Sequence, residues 1–540
     1  MREIAKVVRE LGIHESEFIP YGHHVAKIPV AVARARMSRP QGRLVLVTAM
    51  TPTSHGEGKT VTSIGLAEAL TRIGHPAVVC LRQPSLGPTF GLKGGAAGSG
   101  KSSLEPFEDI NLGLTGDIDA VASAHNLLSA LLDNHIYHGN RLGIDSGRVV
   151  WPRTLDMEDR SLRHITTVID ERVKDPPRAG EFVITPASEV MAIHGLSEDY
   201  EDLRRRLSRI IVAYDKSGQP VRAEELHAAG AMTALLRHAM EPNIVQTAEG
   251  SPAIIHGGPF GNLSHGTASR LAIELGVSTA EFCVVEVGFS TELGLEKFID
   301  IVARLGRLEA AAAVVVVTIR ALKHHTPVHE SSGATDALSG GFENLAQHIA
   351  NVRRFGLSPV VALNRFGDER PEELEALGQF CRDQLVPWAV SRAHALGGEG
   401  ARELAQAVVD ASSERIPCRP LYSLDSEPLS ALSTLAVDLY GGAGAELSAE
   451  AARDLEGLRA IGEGKGVICV AKTPLSLSDD SHRLGRPRGF RVRVRRFARC
   501  SGAEFTVAYL GAIVAMPGLP EHPCAEGMEL AANGRVTGLS

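Results

Sequence analysis

The sequence predicts an α/β fold centred on a mostly parallel sheet with helices on both faces. Three observations carry that expectation. First, short uninterrupted apolar runs recur: Leu44–Ala49 (LVLVTA), Ala77–Leu81 (AVVCL), Phe282–Val287 (FCVVEV), Val314–Ile319 (VVVVTI) and Pro359–Leu363 (PVVAL). Runs without polar alternation fit strands covered on both faces, as in parallel sheets. Second, segments of helical periodicity separate them, for example Glu343–Phe355 (ENLAQHIANVRRF). Third, the first run passes through TPTSHGEGKT into VTSIGLAEALTRIG, which Gly74 should stop, and then into the second run. This is a strand–loop–helix–strand unit, and its strands must be parallel.

A chain of 540 residues exceeds one hydrophobic core and predicts two to four domains or sub-domains. Between Leu92 and Gly276 the pattern changes to a Gly/Ala/Ser loop (GLKGGAAGSGKSS), a helix around Asp119–Asn134 and turn-rich segments. The expected division is a discontinuous nucleotide-binding core (1–105 and 277–415), an inserted α/β domain (106–276) and a smaller C-terminal α/β domain (416–540). The GGAAGSG stretch is short and reads as a place where backbones approach closely.

The bulk numbers narrow the function classes. Lys and Arg number 56 against 64 Asp and Glu, a net charge of −8, so no basic field for nucleic acid exists. The arginine-rich stretch Arg483–Arg499 contains RVRVRR, whose alternation predicts a strand with one wet face. The opening MREIAKVVRELGI lacks the apolar centre of a signal peptide. The apolar run Ala310–Ile319 is about half of what a bilayer requires and reads as a helix end or linker before a buried strand. Seven widely spaced cysteines, with no C-x-x-C pair, predict reduced and mostly buried thiols in a cytoplasmic protein.

The loop after the first strand carries the chemistry. Thr53, Ser54, His55, Gly56, Glu57, Gly58, Lys59 and Thr60 align with the phosphate-loop pattern G-x-x-x-x-G-K-[ST], with Thr53 in place of the first glycine. Small residues let backbone N–H groups face phosphate oxygens, and the helix that follows adds its positive end. Lys59 can reach the terminal phosphates, and the Thr60 hydroxyl suits Mg²⁺. GEGKT alone is a weak match. Its place between a buried strand and a helix makes it specific and predicts ATP or GTP binding on a P-loop NTPase-type sheet.

From these residues outward the sequence resembles the formate–tetrahydrofolate ligases. The resemblance runs in collinear order through VTAMTPTSHGEGKT, LRQPSLGPTFGLKGGAAGSG, EDINLGLTGDIDAVASAHNLLSALLDNHIYHGN, SEVMAI, VQTAEGSPAIIHGGPFGNLSHG, TIRALK, VVALNRF, GGEG, AKTPLSLSDD and MPGLP, nearly the whole chain. It implies a cytoplasmic ATP-dependent carbon–nitrogen ligase that activates formate as formyl phosphate and passes the formyl group to N10 of tetrahydrofolate. It further implies Mg²⁺ with ATP, stimulation by a monovalent cation such as K⁺ or NH₄⁺, and a homotetramer. By motif, it places Arg82 on the acyl phosphate, Asp117 in the active site, and Phe366 and His394 on either side of the folate ring. An arginine fork can bind two oxygens of an acyl phosphate at once.

The chain departs from the family pattern near these positions. Gln83 stands where the family has glutamate, and His394 where it has tryptophan; Trp388 lies six residues earlier. Lys101, Asp119, Ala268 and Leu475 replace a tyrosine, histidine, asparagine and tyrosine respectively, and His324-His325-Thr326-Pro327 stands where the family has M-H-G-G. These changes keep two alternatives in view: a divergent ligase with another carboxylate or acceptor, and a nucleotide-binding protein without turnover. Outside the motifs, His324, His325 and His329 could meet around a metal only in a loop, because neighbours in a strand point to opposite faces. Asp479 and Asp480 read as turn or cap residues, or as a cation pair.

Overall fold

The computed structural model describes residues 1–38, 41–169, 177–326, 338–413 and 416–539. Its centre is a sheet with seven parallel strands: β1 (Arg43–Ala49), β2 (Ala77–Leu81), β3 (Pro252–Ile255), β4 (Phe282–Glu286), β5 (Ala312–Val317), β6 (Ser358–Asn364) and β7 (Trp388–Ser391). They lie side by side in the order β3-β2-β4-β1-β5-β6-β7. Beyond β3 the sheet continues antiparallel through Asn243–Thr247, Val25–Lys27 and Ile19–Tyr21. In register, Val45 of β1 pairs with Val284 of β4 on one side and Ala312 of β5 on the other. From Leu44 through Val47 the side chains are fully buried, as the uninterrupted apolar run requires.

Helix α1 (Lys59–Arg72) lies on one face and is buried from Val61 to Leu70. Small residues permit this. A Cβ on Gly65 would lie 2.4 Å from Ala393 Cβ, so the 393–401 segment packs directly on the helix.

The structure differs from the sequence reading at several edges. Asn243–Thr247 and Pro252–Ile255 come from within 106–276 and still belong to the central sheet, so that stretch is not separate from the sheet along its whole length. Strand β7 escaped notice because WAVS is too short to show a pattern. The helix expected at Asp119–Asn134 spans Asp117–Tyr137. The strand expected to reach Ile319 stops at Val317, because the Thr318 hydroxyl accepts from Ala321 N (3.0 Å) and starts the helix Ile319–His324.

In the C-terminal part, Phe505–Tyr509 lies between Val467–Ala471 and Arg496–Cys500, and Arg491–Val494 pairs with Gly444–Leu447. Arg491 and Arg493 are exposed while Val492 and Val494 are buried, the expected wet-faced strand. The chain end returns to the glycine-rich loop, where Leu539 O accepts from Gly95 N (2.6 Å). Close approach is general in that loop: a Cβ on Gly98 would meet Ser102 O at 2.4 Å. Among the described residues no helix is long and apolar enough to cross a membrane. All seven cysteines are free, four of them buried.

Candidate active site

The carboxyl ends of parallel strands form the ligand edge of an open α/β sheet, and here they gather nearly every residue that the sequence singled out. β1 leads into the phosphate loop, β2 into Arg82, β5 into Thr318, β6 into Phe366, and β7 into His394; β4 ends on Glu286.

The loop is held from inside. Thr51 carries its base: its N–H donates to His348 Nε2 (2.8 Å), its hydroxyl accepts from Asn344 Nδ2 (3.0 Å), and its carbonyl receives His325 Nε2 (2.9 Å). Burial holds His325 and His348 neutral, each pushed down to about 4. The Glu57 carboxylate turns inward, accepting from Thr53 N (2.7 Å) and the Thr318 hydroxyl (2.5 Å). Glu57 thus shapes the loop, while Ser54, His55 and Gly56 form its exposed rim. Gly58 has φ +76°, and a Cβ there would sit 2.2 Å from Asn364 Nδ2, so both its conformation and its space require glycine. Helix α1 begins at Lys59, and the N–H groups of its first turn have no intrahelical partner.

Charges converge above this loop. Thr60 Oγ1 donates to Glu286 Oε2 (2.6 Å), and the other oxygen of Glu286 lies 3.8 Å from Arg82 Nη2. Arg82 Nη1 is anchored on Pro259 O (3.2 Å). Lys59 is half-buried, and its ammonium is lowered chiefly by desolvation and further by Arg82, against the opposing pull of Glu286 and Glu57. The Lys93 side chain is open to solvent, yet the chain crowded around it depresses its ammonium, as do Arg82 and Lys59. Three cations sharing few counter-charges make an electrostatic well for anions. The Thr60 hydroxyl and Glu286 carboxylate are hard oxygen donors beside the loop, a donor set that fits Mg²⁺.

Asp117 stands apart from this cluster. It is buried, accepts from Lys27 Nζ (2.9 Å) and Asn243 Nδ2 (2.6 Å), and is touched by the Thr115 hydroxyl (3.2 Å). Gln83 ties the same turn to Arg82's strand by donating Nε2 to Gly113 O (3.2 Å), while its Oε1 is buried without a partner. Removing one member of a buried ion pair typically costs about 3–5 kcal/mol. Lys27 keeps two carbonyl partners, His238 O and Glu241 O, so Asp117→Ala should lose toward the lower end of that range. Denaturant unfolding measures this; an unchanged midpoint would show that the pair contributes nothing to stability.

On the far side, Phe366 presents a ring that is 59% exposed, with Arg320 Cζ 5.1 Å from its centroid. His394 is exposed too, and its carbonyl accepts from Lys101 N (2.8 Å) in the glycine-rich loop. Arg365 N donates to Ser391 O (2.9 Å), so the ends that carry Phe366 and His394 are adjacent. Trp388 lies at the opposite end of β7 and packs on Gly378, so it does not replace the missing tryptophan.

The histidine trio forms no site among the described residues. Both ring nitrogens of His325 are used, Nδ1 receiving Gly485 N (3.3 Å), and His329 lies outside the described residues. Asp480 caps its own turn through His482 N (3.0 Å), and Asp479 receives Arg493 N (3.0 Å). Sequence reading missed Glu286, Lys93 and Arg320. An acidic residue closing the buried run FCVVE was the available signal for Glu286.

Comparison with known proteins agrees over the full length. The profile of a family described as formate–tetrahydrofolate ligase matches residues 1–540. A formate–tetrahydrofolate ligase of Methylobacterium nodulans is 47% identical over 545 aligned residues, covering 100% of this chain and 98% of the relative. One from Thermoplasma volcanium is 44% identical over 539 residues, covering 100% of both.

Proposed function

Because the chain belongs to the formate–tetrahydrofolate ligase family, we propose how its residues divide that reaction. The reaction is ATP-dependent formylation of tetrahydrofolate, a step of one-carbon metabolism. In the first step a formate oxygen attacks the γ-phosphorus of ATP. A P–O bond to formate forms as the bond to ADP breaks, giving formyl phosphate. In the second step N10 of tetrahydrofolate attacks the formyl carbon, the C–O bond breaks, phosphate leaves, and the amine loses its proton.

Phosphoryl transfer depends mainly on positioning and charge neutralisation. Residues 53–60 hold the nucleotide phosphates, with the N–H groups of Gly58, Lys59 and Thr60 facing them. Lys59 neutralises the transferring group. Arg82 holds formyl phosphate by its fork, and Lys93 adds a third positive charge. Thr60 and Glu286 hold Mg²⁺, which screens the charge between the phosphates. Asp117 acts from behind, fixing the turn that Gln83 ties to Arg82. Phe366 and His394 flank the folate ring; imidazole offers less stacking area than indole.

The observation that carries this reading is the convergence of Lys59, Thr60, Glu286 and Arg82 at one edge of the sheet. The family resemblance supports a monovalent cation such as K⁺ or NH₄⁺, a homotetramer, a cytoplasmic location and the three-part domain division as further parts of the proposal.

The direct test measures ADP and formyl-tetrahydrofolate formation from MgATP, formate and tetrahydrofolate, with and without K⁺. Product formed in step with ADP supports the assignment, and ADP release independent of folate overturns it. Loss of an aromatic stacking partner costs about 1–3 kcal/mol per ring. Phe366→Ala should therefore raise KM for tetrahydrofolate roughly tenfold or more while leaving KM for ATP nearly unchanged. Equal effects on both substrates would remove Phe366 from the folate pocket.

A further inference from the structure

Between the phosphate loop and the Phe366 ring lies an exposed side chain that touches both. Arg320 is the second residue of the helix Ile319–His324, directly after the capping Thr318. Its Nη2 donates to Gly56 O at 2.9 Å, on the exposed rim of the phosphate loop. Its guanidinium carbon lies 5.1 Å from the centroid of the Phe366 ring. Thr318 meanwhile grips the same loop from within through Glu57. The base of Phe366 is fixed independently: Glu369 accepts from Phe366 N (2.6 Å), Gly367 N (2.9 Å) and Arg365 Nε (3.3 Å). The backbone that carries the ring is therefore held in place, while the group beside the ring's face is a long arginine open to solvent.

We propose that Arg320 is a positioning residue that couples occupancy of the phosphate loop to access at the Phe366 ring. This rests on the reading that Phe366 stacks against folate. Without ligands, the guanidinium has a neutral carbonyl and an aromatic face as partners. Phosphates bound in the loop offer charged oxygens close to Gly56, and charge-assisted hydrogen bonds are roughly twice as strong as neutral ones. The guanidinium moves toward the phosphates, and the ring is freed for the pterin. By linkage, folate on the ring favours the arginine position that assists the nucleotide by the same factor. Nucleotide and folate thus bind cooperatively without touching each other.

The test is equilibrium binding of tetrahydrofolate to the full chain, without formate, with and without Mg²⁺ and a non-hydrolysable ATP analogue. The analogue should tighten folate binding to the wild-type protein by about fivefold or more, the lower range of typical allosteric couplings. In Arg320→Ala the effect should vanish, and the nucleotide-free protein should bind folate at least as well as wild type. Arg320 is exposed, so its melting temperature should not move. No coupling in the wild type, or undiminished coupling in Arg320→Ala, overturns the proposal. Phe366→Ala separates the two ideas. Unchanged folate affinity there overturns the ring assignment itself; weakened affinity there with undiminished coupling in Arg320→Ala overturns only the role of Arg320.

Discussion

Lys59→Ala should abolish formylation of tetrahydrofolate while leaving the fold intact. The ammonium sits at the start of α1, among Arg82, Glu286 and Glu57, and its depressed pKa shows that desolvation outweighs the help of those carboxylates. Such a group is a burden to the free protein and becomes useful only when phosphates arrive. Charge-stabilising groups in phosphoryl transfer contribute about 10³–10⁵-fold to turnover, so kcat should fall by about 10³-fold or more. The melting temperature should not fall, because no native partner loses a strong bond. Steady-state ADP release and a thermal melt measure the two effects together. Near-normal turnover would remove Lys59 from the chemistry, and a collapsed melt would show that it acts through stability.

Arg82→Ala is expected to have the next largest effect, of a different kind. Arg82 closes the cation cluster against Glu286 at 3.8 Å and is steadied by Pro259 O. Its removal takes away the fork that grips the acyl phosphate and leaves Glu286 facing the phosphates with less opposing charge. Loss of one preorganised donor to a developing oxyanion costs about 10²–10³-fold, and kcat/KM for formate should fall at least that far. Arg82→Lys restores charge without the planar fork and should recover only part of the loss. Full recovery by lysine would show that charge alone matters there. Equal loss in ATP binding would move Arg82 from the acyl phosphate to the nucleotide.

Much of this candidate site was legible in the sequence. The phosphate loop is a local object: a buried apolar run, small residues and a helix start lie within one short stretch, and their roles follow from backbone geometry. Gly58 illustrates it, since the pattern demands glycine and the structure supplies both the positive φ and the crowding by Asn364. Glu286 was less legible, because an acid at the end of an apolar strand has no meaning until its strand is known to lie between those bearing Arg82 and the loop. Asp117 was visible by motif, but its partners Lys27 and Asn243 are 90 and 126 residues away and come from neighbouring antiparallel strands. Trp388 lies only six residues before His394 in sequence, but along the strand that distance places its ring at the opposite end of β7.

The sequence by itself determined five of the central strands, β1, β2, β4, β5 and β6, and the helix after the phosphate loop, because each depends on near neighbours and on the periodicity of apolar side chains. Only the tertiary structure decided which other residues share that edge. Strand order β3-β2-β4-β1-β5-β6-β7 is set by crossovers packing on the sheet, and it alone brings Arg82, Glu286, Arg320 and Phe366 to the edge that carries the phosphate loop, with His394 on the adjoining strand end. The physical reason is that these groups meet only across strands, as Arg82 meets Glu286 and Arg320 meets Phe366, and no local propensity encodes which strand lies beside which.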